Sequence, residues 1–316
     1  MGTGVNITRP SWARLRGPDE EEAGRKDDMG ATNPQFETEI NGVITERLRE
    51  YNNRDVDSIN EHLDSILEVL KDERGESFEK ILGGSVKKHT YVEGLSDVDT
   101  LLIIDESKLS DYTPETVKRH VSEILKDRLS GISEIKVGSM CVTVNFNDGC
   151  KVQLLPAMRK KAGVVIQEQG KNSWSSIVHP ERFANKLSSV NKNCNNKIVP
   201  IIKIFKGINA TFPPEKQLCG YHIESMAIEA FKNYNPDGRN YKNMIEFFCE
   251  RSCEIVMSPI KDKTGQSYHV DDYLGTSNSA ARSKCRDALQ DTLRKMKHAN
   301  INCREDEWVA LLGGAY

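Results

Sequence analysis

The stretch Gly83-Gly84-Ser85, followed after eleven residues by Asp97-Val98-Asp99 and the run Thr100-Leu101-Leu102-Ile103-Ile104, decides how the rest of the chain is read. A Gly-Gly-Ser turn can present backbone N–H groups to a phosphate. The apolar run predicts a buried β-strand, whose alternation puts Asp97 and Asp99 on one face and Val98 on the core side. Two carboxylates on one face can share divalent cations, and magnesium commonly combines one or two carboxylates with substrate phosphates. Turn and carboxylates together therefore predict a nucleoside-triphosphate site. Each half has a plainer reading on its own, a loop for Gly-Gly-Ser and a solvated strand edge or helix cap for Asp-x-Asp.

The surrounding chain sets bounds on that site. Its 316 residues can bury a substantial core, as two packed lobes or one large domain. A net charge of -3 with 29% charged residues supplies no global basic field, so stable nucleic-acid binding is not expected, whereas a small anionic substrate needs only a local basic pocket. No apolar run approaches the roughly 20 residues that span a bilayer, and the N-terminus lacks the apolar core of a secretory signal, so a cytoplasmic protein is expected. The eight cysteines are scattered between residues 141 and 303 without a C-x-x-C pair, and Cys249 and Cys253, one helical turn apart, suit a packed helix face.

Residues 1–34 hold few apolar anchors and read as a mobile leader. Helical spacing then runs through Phe36–Tyr51 and Val56–Leu70, and Thr113 caps a helix from Pro114 to Leu129. Val142, Val144 and Phe146 alternate with polar residues, Asp148-Gly149 supplies a turn, and Val152 with Leu154 continues the alternation, which predicts a hairpin in a mixed sheet. Arg182–Val190, Lys197–Ile208, Tyr221–Tyr234, Tyr241–Val256 and Ser277–Met296 read as helices, with Pro213-Pro214 and Asn235-Pro236-Asp237-Gly238 as breaks. The fold class is thus α/β (α+β): a core over residues 35–180, N-terminal helices included, followed by a helical lobe over 181–316. No internal repeat is visible.

The tract from Gly84 to Asp99 resembles the signature of the DNA polymerase beta-like nucleotidyltransferase superfamily. Further blocks narrow the resemblance to the bacterial cGAS/DncV-like nucleotidyltransferases, the oligonucleotide cyclases of anti-phage (CBASS) signalling. These are Val142–Phe146 with Val152–Ala157, Val199-Pro200-Ile201-Ile202-Lys203, Gly220–Ser225 and His269–Gly275, so that the resemblance covers about residues 80–285. It implies a nucleotidyltransferase core and a helical lobe with the active site in the cleft between them. Residue by residue, it assigns Gly84 and Ser85 to the donor triphosphate, Asp97 and Asp99 to metal, Lys203 to the phosphates and Tyr221 to the nucleobase pocket. His222 and Glu224 read as structural residues of the helical lobe. The implied cofactor is Mg2+, with Mn2+ as the alternative, and the implied partners are ribonucleoside triphosphates and an effector activated by the product.

One position departs from the family pattern. A third carboxylate is usual on a neighbouring strand, within a pattern like V-D-x-x-P, and the matching residue here is Gln153 in Val152-Gln153-Leu154-Leu155-Pro156. Glutamine offers a neutral carbonyl oxygen without charge or useful basicity. Asp148, in the adjoining turn, is the nearest acid in sequence. Two rival readings follow: transfer of a nucleotide to RNA or protein, with Lys87, Lys88 and Arg159-Lys160-Lys161 as a candidate basic track, or a nucleotide-binding regulator that has lost its chemistry.

Overall fold

The computed structural model describes residues 33–52, 56–71, 78–82, 90, 92, 98–104, 112–168, 170–262, 264 and 267–313. Residues 1–32 of the predicted leader lie outside the described residues, as do Gly84, Ser85 and Asp97, while Asn33 and Pro34 belong to the start of the first helix. Helix α1 (Pro34–Asn52) starts where Asn33 Oδ1 accepts from the backbone N–H of Gln35 and Phe36, with Pro34 in the first turn. Its apolar stripe, Phe36, Ile40, Ile44 and Leu48, follows the i, i+4 spacing and is buried throughout. Helix α2 (Val56–Lys71) and strands β1 (Phe78–Leu82) and β2 (Val98–Ile104) follow. Helix α3 (Pro114–Arg128) begins as the sequence predicts, with Thr113 Oγ1 accepting from the N–H of Thr116.

Strands β3 (Ile132–Val137), β4 (Val142–Phe146), β5 (Lys151–Lys160) and β6 (Gly163–Ile166) complete a mixed sheet in the order β1-β2-β5-β4-β3, with β6 also on β5. Among the described strands only β2 and β5 run parallel. The predicted strand through Val152 and Leu154 extends to Lys160. Pro156, which has no N–H to give, sits where β4 stops pairing at Leu154 and β6 begins at Ala157. Alternation divides the two faces of β5. Val152 and Leu154 pack with α2 and α3, while Leu155 and Ala157 join Leu101, Ile103 and Val164 on the opposite face.

The second half is helical: α4 (Pro180–Asn193), α5 (Ile198–Ala210), α6 (Gly220–Phe231), α7 (Tyr241–Ile255), α8 (Ala280–Ile301) and α9 (Glu305–Leu311). Their core takes in Phe205, Phe231, Phe248 and Trp308, and also the stripe of α1. The division at residue 180 therefore stands as a proposal in which α1, although N-terminal, packs with the helical lobe. Helix α5 is its axis, apolar nearly all round and buried from Ile201 to Asn209, the face of a helix enclosed by others.

The close packing of α1 on α5 depends on Gly207. A Cβ there would lie 2.0 Å from Tyr51 Oη and 2.9 Å from Cζ. Gly207→Ala should therefore lower stability by about 1–3 kcal/mol through overpacking, even though alanine is the better helix former by about 1 kcal/mol. Urea unfolding of Gly207→Ala checks this, and the loss should shrink in the Tyr51→Phe background.

Candidate active site

The parallel register of β2 and β5 pairs Asp99 with Gln153, and the antiparallel register of β4 and β5 pairs Gln153 with Thr143. Three neighbouring strands thus place Asp99, Gln153 and Thr143 in one row, on the face opposite α2 and α3. Gln153 is half-buried, and the Cys141 thiol lies 3.7 Å from its Oε1. The donors this row offers, a carboxylate position and an amide oxygen, are hard oxygen ligands suited to Mg2+ or Mn2+. Among the described residues no group of three or more His, Cys, Asp or Glu side chains gathers at one point.

Asp148, the nearest acid in sequence, does not stand beside Gln153. Its carboxylate bonds to His62 Nε2 at 2.7 Å, and the His62 ring stacks on Phe146 at 3.7 Å between centroids, beside the core that α2 makes with the sheet. That is the other face from Gln153. The backbone N–H of Cys150, then His62, hold the Asp148 carboxyl below its ordinary range.

The two lysines of α5 have separate surroundings. Lys203, buried, donates to Asn52 Oδ1 at the C-terminal end of α1 and lines a groove of about 440 Å3 with Arg49, Leu48, Val199, Pro200 and Tyr241. Lys206, one turn on, reaches the signature stretch itself: its Nζ donates to the carbonyl of Thr90 at 2.9 Å and to Glu224 Oε1 at 3.1 Å. Thr90 Oγ1 donates to the same Glu224 oxygen, and all three residues are buried. Sequence reading singled out Lys203 and left Lys206 unremarked. The available signal was a second lysine three positions on, in the otherwise apolar Ile201-Ile202-Lys203-Ile204-Phe205-Lys206.

Tyr221, in the first turn of α6, is half-buried with its ring 4.6 Å from that of Phe183, and its hydroxyl donates to Asp262 at 2.9 Å. Burial, then the Asp262 charge, push the phenol far above its ordinary range. Burial alone would raise the Asp262 carboxyl, but donors on Thr264, Ser267 and Tyr221 outweigh it and hold the group low. The Tyr221 hydroxyl is thus committed to the loop, and its ring packs against Phe183.

His222 and Glu224 sit in buried polar networks of the helical half. His222 Nδ1 meets the Tyr273 hydroxyl at 2.9 Å, and Nε2 lies 3.4 Å from Asp271 without hydrogen-bond geometry. Asp271 in turn accepts from the fully buried Arg282 at 2.6 Å. Burial, opposed by Asp271 and assisted by Arg282, pulls the imidazole pKa down to about 4. The folded chain then resists a proton that the unfolded chain accepts, so this contribution is whole above pH 6.5 and is lost as pH falls toward 4. The loss should approach about 3 kcal/mol, with His222→Gln flattening the profile in urea titrations across that range.

Comparison with solved structures identifies the architecture. No protein-family model matches the sequence, and no curated protein is detectably similar to it. The Bradyrhizobium diazoefficiens CD-NTase CdnG, solved with GTP, superposes with a TM-score of 0.65 over 87% of this chain and 96% of its own, at 10% identity. The fold is that of the CD-NTases. Vibrio cholerae DncV cyclic AMP-GMP synthase, with a linear intermediate, matches at 0.60 over 88% of this chain and 79% of its own, at 9% identity. Elizabethkingia meningoseptica CdnE cyclic dinucleotide synthase, with GTP and Apcpp, matches at 0.57 over 74% and 90%, at 16% identity. The CD-NTase fold combines the mixed sheet and helical lobe that the sequence resemblance implied.

Proposed function

We propose that this protein is a metal-dependent, template-independent nucleotidyltransferase that joins ribonucleoside triphosphates into a cyclic di- or oligonucleotide messenger in anti-phage signalling. The observation that carries the reading is the Asp99–Gln153 register on the face opposite α2 and α3, in a sheet of CD-NTase fold. The relatives of like fold bind GTP, a nucleotide analogue or a linear pppA(3′,5′)pG intermediate, which is the chemistry proposed here. No helix among the described residues is long and apolar enough to cross a membrane. In this reading the enzyme is cytoplasmic and its product reaches a separate effector.

In the proposed reaction the 3′ or 2′ hydroxyl of one nucleotide attacks the α-phosphorus of another in line. A P–O bond forms, the bond to the β-phosphate bridging oxygen breaks, and pyrophosphate leaves. Gly84 and Ser85 would hold the triphosphate with help from Lys203, and the Tyr221 ring would face the base. Asp97, Asp99 and the Gln153 amide oxygen would hold Mg2+ or Mn2+, which supplies charge stabilisation at the phosphates. Gln153 cannot accept the hydroxyl proton, so the proton leaves to water or to a substrate phosphate.

Gln153 also favours a second reading, a nucleotide-binding regulator without turnover. Pyrophosphate release, measured beside nucleotide binding for each ribonucleotide with either metal, separates the two. Release that needs Asp99 supports the enzyme; tight binding with no release under any metal supports the regulator.

A further inference from the structure

We propose that Lys206, Glu224 and Thr90 form a positioning clamp that fixes the candidate catalytic strand to the helical lobe; this rests on the nucleotidyltransferase reading above. Thr90 lies between the predicted phosphate turn at Ser85 and the carboxylates at Asp97 and Asp99. Its side chain donates to Glu224 of α6 and its carbonyl accepts from Lys206 of α5, so one residue of the signature stretch is tied to two helices. Val92, two residues on, is also fully buried. The chain from this anchor runs into β2, where Asp99 stands beside Gln153. The position of the acid relative to the helical lobe is thereby set by a polar contact as well as by the sheet.

A lysine 8% exposed and a glutamate 1% exposed are an unusual way to gain stability. Burying both charges costs more than well-packed apolar side chains would, and replacing such a pair as a whole is often neutral or stabilising, whereas removing one member leaves a buried charge unpaired. Hydrogen bonds link Thr90 and the pair in one geometry, which fixes the Thr90 hydroxyl and carbonyl against α5 and α6. In the proposal lysine and glutamate act through Thr90, whose carbonyl and hydroxyl they bond.

The test uses the full chain with Lys206→Met/Glu224→Leu, Thr90→Val and Thr90→Ser. If the clamp positions the site, the double variant folds cooperatively with its thermal midpoint lowered by no more than about 10 °C, the cost of leaving the Thr90 hydroxyl and carbonyl unpaired. Its kcat should nevertheless fall about 100-fold, the cost of an ångström-scale misplacement. Nucleotide Kd should stay near wild type, Thr90→Val should lose the same factor without adding to the double variant, and Thr90→Ser should keep the rate. Wild-type kcat in the double variant and in Thr90→Val overturns the clamp. So does a defect confined to nucleotide Kd in Lys206→Met, which would make Lys206 a direct ligand. Amide exchange over residues 90–104 without nucleotide reads the clamp even if the wild-type chain turns nothing over. Faster exchange in the double variant and in Thr90→Val supports it, and unchanged exchange overturns it, independently of the functional reading.

Discussion

Asp99→Asn should reduce nucleotidyl transfer by about three decades or more, equivalent to about 4 kcal/mol of transition-state stabilisation, while leaving the fold intact. The substitution keeps size and removes charge at the one candidate metal carboxylate whose backbone neighbours are fixed on the sheet. Neighbouring positions of β2 carry the packing, with Leu101, Leu102, Ile103 and Ile104 all buried, so the melting temperature should be close to wild type. Nucleotide binding should weaken mainly in its metal dependence, because the phosphate contacts assigned to Gly84, Ser85 and Lys203 remain. Pyrophosphate release against metal concentration reads both effects. An Asp99→Asn variant as active as wild type would remove the strand from the chemistry.

The second large effect runs in the opposite direction. Gln153→Asp should raise kcat by about two decades, the return of about 3 kcal/mol from a charged ligand at the position where the family carries one. The register supports the prediction: position 153 lies directly beside Asp99, between it and Thr143. Without metal the added charge repels its neighbour, so Gln153→Asp should be less stable than wild type in chelator by about 1 kcal/mol and recover on addition of Mg2+. The metal concentration for half-maximal rate should also fall. If kcat is unchanged at saturating Mg2+ and Mn2+, the glutamine is not occupying the third-ligand position, and the proton leaves by a route to which residue 153 contributes nothing.

The helical elements were legible because each satisfies a local rule. The stripe Phe36, Ile40, Ile44, Leu48 gives α1 its period, and Thr113 with Pro114 marks the start of α3. The hairpin from β4 to β5 was legible from Val142, Val144, Phe146 and the Asp148-Gly149 turn, where Gly149 adopts a φ of 91°. Strand β3 was not, because at the sheet edge only Ile135 of Ile132–Val137 is buried and no alternation shows. Strand β6, Gly163–Ile166, is too short to carry a period, and α9 buries little beyond Trp308.

The site divides in the same manner. The resemblance implies that Gln153 stands on a strand neighbouring that of Asp99, and the register that sets the two residues opposite each other is visible only in the fold. The bond from Thr90 to Glu224 spans 134 positions, and no local pattern connects those residues before the chain is folded. For the same reason Glu224 reads as ordinary helix-lobe structure in sequence, and Lys206 passes unnoticed beside Lys203. Asp148 looks available by its nearness in sequence, yet the alternation of β5 and the bond to His62 put it on the other side of the sheet.

The central claim is tested most directly by incubating the purified protein with all four ribonucleotides and Mg2+ or Mn2+, treating with phosphatase, and analysing the products by mass spectrometry beside an Asp97→Asn/Asp99→Asn control. The account predicts a phosphatase-resistant cyclic nucleotide that the control does not make. Nucleotide binding with no product under either metal, or a product that the control makes equally well, would contradict it.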